Sequence, residues 1–208
     1  LAERRAQELA TATRVEQARL PGGVLLALGL RGHLTTLEMS DIYDYLTQGN
    51  VTTTVGMLLG LAANKRGSCD ISVSKMICLH IPSLIPQHFS AIDVASTVQA
   101  AAVASAGLLF QGSSHRMMTE FLLNEIGKRP DSDVNTSDRE AYNLVCGLAL
   151  GTVNLCHGER TDDVDRGAGL ADLRIEERLV RYIVGGVDPE EARRTREAND
   201  RFTLRSAE

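Results

Sequence analysis

Hydrolytic, redox or metal chemistry needs histidine, cysteine, serine or carboxylate side chains at workable spacings. This 208-residue chain has five histidines, at positions 33, 80, 88, 115 and 157, and four cysteines, Cys69, Cys78, Cys146 and Cys156. Cys78 stands two residues from His80, and Cys156 adjoins His157. Neither pair has the short-spaced double halves of a zinc site. The simpler reading makes Cys156 a buried small residue of a helix and His157 a turn residue before Gly158. No G-x-S-x-G elbow is present for a serine nucleophile, and no G-x-x-x-x-G-K-[ST] loop for a phosphate. Asp131, Asp133 and Asp138, and the run Asp162-Asp163-Val164-Asp165, lack the glycine and terminal glutamate of a calcium loop. They read as solvated loops. Arg178 and Arg181, or Arg193, Arg194 and Arg196, could meet an acidic partner, but an ordinary charged face is the better reading. The expectation is therefore no catalytic set, no metal ligands and no cofactor.

Composition narrows the class further. Lys and Arg number 22 against 27 Asp and Glu, a formal net charge of −5. Nucleic-acid binding wants a basic face, so nucleic acid is not an expected partner. Hydrophobic residues make up 43% of the chain, too many for a disordered one, yet aromatics only 4%, with no Trp. That balance suits helices packed through small side chains. Four scattered cysteines do not build a disulfide framework, and they favour a reducing compartment, cytosol or nucleus. The chain opens on Leu1 with a charged segment (Glu3, Arg4, Arg5), shows no secretory signal, and reads as a fragment. Residues 94–114 carry no formal charge and are nominally long enough to cross a bilayer. They are rich in Ala, Ser, Thr and Gln rather than Leu, Ile and Phe, so the expectation is a helix buried in protein and no membrane partner.

The elements repeat. Gly56 to Gly67 reads GMLLGLAANKRG and Gly147 to Gly158 reads GLALGTVNLCHG, with small residues at the first and fifth places and a closing glycine. Ala101 to Gly112, AAVASAGLLFQG, fits the same frame with Ala101 and Ser105 at the small places, and Gly23 to Gly32 is a shorter copy. The predicted repeat positions are thus Gly23, Gly32, Gly56, Gly60, Gly67, Ala101, Ser105, Gly112, Gly147, Gly151 and Gly158. Small residues four apart share a helix face and let a second backbone come close, which would offset the helical cost of glycine, about 1 kcal/mol each. Each copy is followed by apolar residues three and four apart: Met39, Ile42, Tyr45 and Leu46; Ile71, Val73, Ile77 and Ile81; Met118, Leu122 and Ile126; Ile175, Leu179, Tyr182 and Ile183. The unit is an apolar inner helix, a glycine turn and an amphipathic outer helix. Thr35 with Glu38 and Ser137 with Glu140 have capping-box spacing. Gly49, Gly127 and Gly185–Gly186 fall where outer helices should end. The predicted organisation is a charged helix or linker over 1–20, about four helical repeats over 21–186, and a charged, partly disordered tail over 187–208. The tail offers a helix start at Asp188-Pro189 and, after about Ala198, either loss of order or a strand.

These two glycine-framed segments resemble the proteasome/cyclosome repeat. The wording between them, DREAYNLVCGLALGTVNLCHG (138–158), LHIPSLIP (79–86), GLLFQGSSHRMMTEFLLNEIG (107–127) and ALGLRGHL…DIYDYLTQG (27–49), resembles the large-subunit family of the anaphase-promoting complex rather than the proteasome scaffolds. The similarity runs from about Pro21 to Gly186. The resemblance implies an all-α fold, an α-solenoid of helix-pair repeats forming an arc of a toroid, with inner helices lining the hole. It implies a non-catalytic scaffold of a multi-subunit ubiquitin ligase in mitotic cell-cycle control, in nucleus and cytoplasm. The partners it implies are a cullin/RING catalytic module, a substrate co-receptor subunit, helical-repeat arch subunits and a coactivator. A proteasome regulatory-particle base scaffold is the alternative. Four units cannot close a ring, so both ends of the arc should expose apolar faces and lower the solubility of the isolated fragment.

Overall fold

A computed structural model describes residues 21–47, 49–85, 94–128, 136–156 and 170–184. The expectations for 1–20 and 187–208, Gly185–Gly186, His88, His157, Gly158, Asp131, Asp133 and 162–165 lie outside these. Among the described residues the fold is all-α, with no strand. The chain divides into two compact units, residues 1–167 and 168–208.

The first unit carries α1 (Gly22–Leu30), α2 (Met39–Thr47), α3 (Val51–Asn64), α4 (Ile71–Cys78), α5 (Ser96–Leu109), α6 (Arg116–Gly127) and α7 (Thr136–Val153). Single 3-10 turns follow α1 (His33–Thr36) and α4 (Pro82–Leu84). Long apolar helices pack side by side in chain order, α1 on α3, α3 on α5 and α5 on α7. The shorter helix of each pair packs against the next long one: α2 on α3, α4 on α5, α6 on α7. The core lies between these two layers. Leu25, Met57, Leu58, Met76, Ile77, Leu109, Leu122 and Leu123 are fully buried there. Each such side chain contributes about 1.5–3 kcal/mol on leaving water. The uncharged 94–114 stretch becomes α5, only 14 residues long and largely buried. No helix among the described residues is long and apolar enough to cross a membrane.

Helix starts differ from those the sequence predicts. Asn50 caps α3 by accepting from the Thr52 and Thr53 N–H groups, and Asp70 caps α4 by accepting from Ser72 and Val73. The His115 ring caps α6 by accepting from the Met118 N–H. Thr35 makes no box with Glu38. Its hydroxyl donates to the Gly32 carbonyl inside the 3-10 turn, and Asp41 accepts the Glu38 N–H instead. α7 starts at Thr136, and the cap expected from Ser137 with Glu140 lies outside what the described residues settle. A turn that bends before the helix begins moves the free N–H groups away from the residue that spacing alone selects.

In the second unit, the turn Ala171–Leu173 leads into α8 (Ile175–Val184). Its half-buried face carries Ile175, Leu179 and Tyr182, and Arg178 donates to the Tyr182 hydroxyl at 3.0 Å. Ile183, expected on that face, is exposed.

Candidate interaction site: the inner-helix seams and the turn edge

The long helices meet backbone to backbone. A Cβ built on Gly56 would lie 2.0 Å from the Gly22 carbonyl oxygen, and one on Gly29 would lie 2.3 Å from the Gly60 Cα. A Cβ on Gly60 would meet the Leu25 carbonyl at 2.7 Å. No side chain fits at Gly22, Gly29 or Gly56, so α1 and α3 touch along their glycines. At the α5–α7 seam a Cβ on Gly107 would meet the Ala149 Cα at 2.8 Å. Ala101 and Ser105 are buried on α5, and the Ser105 hydroxyl donates to the Ala101 carbonyl at 2.7 Å.

The turns add hydrogen bonds of one register. The Gly67 N–H donates to the Leu108 carbonyl (3.0 Å) and the Cys69 N–H to Leu109 (3.1 Å). One pair along, Gly112 donates to Thr152 (3.0 Å) and Ser114 to Val153 (3.1 Å). In both cases the acceptors are the last two residues of the next long helix, and the first of each two also accepts the N–H three residues on at 3.3 Å. Two positive-φ residues shape each turn: Gly67 (70°) with Cys69 (54°), and Gly112 (63°) with Ser114 (48°). Gly32 is also left-handed, at 77°.

Counting from helix ends corrects the sequence frame. Asn64, Leu109 and Val153 end α3, α5 and α7. Gly60, Ser105 and Ala149 each stand four residues before the end, so Ala149 holds the place the frame assigned to Gly151. Gly67 and Gly112 stand three residues past the end, and so does Cys156, whose φ is 65°. Cys156 is exposed and lies beyond the helix, not buried within it as expected. The frame slips by two in the last copy, where the turn bonds reach Thr152 and Val153. Glycine spacing follows the helix end only where glycine happens to fill the first positive-φ place.

Three predicted positions therefore differ from expectation. Gly23 is exposed and a Cβ there meets nothing within 4 Å; the close-packed glycines of that helix are its neighbour Gly22 and Gly29. Gly147 and Gly151 are exposed, and a Cβ on either meets no described atom within 4 Å. They share one face of α7 with Leu144 and Leu148, which are 66% and 63% exposed. Gly151 stands two residues before its helix end, as Gly107 does, so the open face of α7 corresponds to the face of α5 that receives α7.

A buried polar cluster, which spacing does not reveal, holds α6 to α7. Glu125, 3% exposed, accepts from the Tyr142 hydroxyl at 3.2 Å and pairs with Lys128. Arg139 donates to the Glu125 carbonyl at 2.7 Å and its guanidinium lies 5.6 Å from the Tyr142 ring centroid. Burial, reinforced by Cys146 and Glu125, pushes the Tyr142 phenol well above its usual range. Burial and then the Glu125 charge push the Cys146 thiol up to about 12. Thr119 and Asn154 pair at 3.2 Å on the same seam. The buried Glu125 carboxylate and Tyr142 hydroxyl are thus matched, as their desolvation cost requires, while Arg139 Nε in the same cluster is buried with no hydrogen-bond partner. The histidines stay apart: His33 is exposed, His80 Nδ1 lies 2.9 Å from the Met76 carbonyl, and His115 rests against Phe110 with centroids 4.7 Å apart. Among the described residues no three His, Cys, Asp or Glu side chains gather where a metal could bind.

Helices packed on helices, the long ones side by side in chain order, define the class, an all-α protein. Residues 71–207 match the family model described as APC1 fifth domain, and residues 8–66 match APC1 fourth domain. Over 172 residues the chain is 45% identical to human anaphase-promoting complex subunit 1, covering 82% of this chain and 8% of that protein. It is 41% identical over 170 residues to the Dictyostelium discoideum protein of the same name (82% and 7%). It is 34% identical over 167 residues to the Emericella nidulans negative regulator of mitosis (78% and 8%). The chain belongs to the anaphase-promoting complex subunit 1 family, and it spans less than a tenth of the length of these relatives.

Proposed function

We propose that the chain is an arc of an α-solenoid within a non-catalytic scaffold subunit of the anaphase-promoting complex, a multi-subunit ubiquitin ligase acting in mitotic cell-cycle control. The observation that carries the architecture is the twice-repeated bonding of a turn to the last two carbonyls of the next long helix. A rule that joins each unit only to its neighbours builds an extended array, and such arrays bind proteins along their surfaces. Family membership supports the assignment to this complex over the proteasome base scaffold. In this reading the open face of α7, with Cys156 already left-handed, takes the next inner helix, and the exposed Val24, Ala27 and Leu30 of α1 take the preceding one. The array keeps cullin/RING, co-receptor, arch and coactivator partners at high effective concentration in nucleus and cytoplasm.

Tagging the protein that carries this sequence in its own cells, and capturing it, tests the proposal. Recovery of cullin/RING and arch subunits is expected; recovery of proteasome ATPases instead would move the reading to the alternative. Ubiquitin transfer by the purified chain with only activating and conjugating enzymes would overturn the non-catalytic role.

A further inference from the structure

Away from the inner seams, α4 and α6 enclose a groove of about 360 Å³. Ile71, Leu84, Phe110, Met117, Met118 and Phe121 form its apolar wall. Ile71 and Met117 are 71% and 75% exposed, so this wall is open to water. Large apolar side chains gathered at one place, rather than scattered singly, mark a binding surface. No residue lining the groove is acidic, and Lys75, which does line it, makes no ion pair among the described residues. His115 is a second donor. Its Nδ1 accepts the Met118 N–H at 3.3 Å, which leaves the ring proton on Nε2. The groove thus offers apolar surface and two N–H donors with no carboxylate of its own to answer them.

We propose that this groove receives a short linear segment of a partner protein, in which one or two large apolar side chains stand beside a carboxylate. The apolar side chains lie against Met117, Ile71 and Phe121, and the carboxylate meets Lys75 Nζ and His115 Nε2–H. The volume is at the small end of ligand-pocket size. A stable contact between two folded surfaces buries about 1,200–2,000 Å², more than one groove supplies, which favours a short segment over a second copy of the chain. The inference stands on the groove alone and does not depend on the solenoid reading.

The test is selection of a random twelve-residue peptide library on the 208-residue chain, with Lys75→Glu and Met117→Ser variants as counter-targets. Both substitutions are at exposed side chains, and matching melting curves will establish that each variant is folded. The expected result is enrichment of peptides pairing Leu, Ile, Phe or Met with a nearby Asp or Glu. Lys75→Glu should weaken them about three- to tenfold, and Met117→Ser should weaken them as well. Replacing the peptide's Asp or Glu by its amide should weaken binding to the wild type but not to Lys75→Glu. No enrichment, binders without a carboxylate, or binders indifferent to both substitutions would each overturn the proposal. Concentration-dependent self-association abolished by Met117→Ser would overturn it in favour of a second copy.

Discussion

Glycines of one sequence pattern have opposite physical roles in this chain. At Gly60 the Leu25 carbonyl occupies the space a side chain would need, whereas at Gly151 no described atom stands within 4 Å. Gly60→Val should therefore lower stability by about 1–3 kcal/mol or more, since the clash is with backbone. Gly151→Ala should raise it by up to about 1 kcal/mol, the helical cost of glycine. Chemical denaturation of the two variants checks the pair, and equal loss in both would show that Gly151 is packed. Cysteine environments differ as sharply. Cys156 is exposed, while Cys146 is buried with its thiol pushed up to about 12. In the native chain near pH 8 a thiol-specific alkylating reagent should modify Cys156 first and spare Cys146 until unfolding, as read by peptide mass spectrometry.

Among the elements, α4 depends on a local charge arrangement. Asp70 caps its N-terminus and pairs with Lys65 Nζ at 2.6 Å. The Lys65 hydrogen bond, and then that of the Val73 N–H, hold the Asp70 carboxyl below its ordinary value. A lowered folded pKa means stability that is complete above the unfolded value, about 3.9, and lost as pH falls through the folded one. Asp70→Asn retains an N-cap side chain but removes the charge. The variant should be less stable than the wild type at pH 7, and the gap should close on acidification below pH ~4. Melting temperature across pH 3–7 measures it, and a gap independent of pH would show that the charge contributes nothing. Among helix starts, Asn50 and Asp70 are of ordinary capping type, yet the spacing rule selected Thr35. The rule sees only the distance to a glutamate, and the actual cap is decided by where the preceding turn releases the chain.

Across the whole molecule, the open face of α7 should govern how the chain behaves in solution. Leu144 and Leu148 are largely exposed, so replacing both by Lys removes apolar surface at little folding cost, within about 0.5 kcal/mol each. Sedimentation velocity should show less self-association in the double variant than in the wild type. Unchanged association would place the sticky surface elsewhere. Helix type, and the alternation of long apolar helices with shorter ones, were legible from residue order, because each depends on a period within one or two turns of chain. Gly22 in place of Gly23, Ala149 in place of Gly151, and the match of Cys156 to Gly67 and Gly112 were not legible. Nor was the Glu125–Tyr142–Arg139 cluster, in which Arg139 and Tyr142 stand 14 and 17 residues from Glu125 along the chain. Residue order by itself determined that this protein is a set of helices able to nest. Which face of each helix nests, and which is left open, was decided only in three dimensions, because close backbone contact and the N–H groups that the neighbouring turn gives to the last two carbonyls of α5 and of α7 come from residues far apart along the chain.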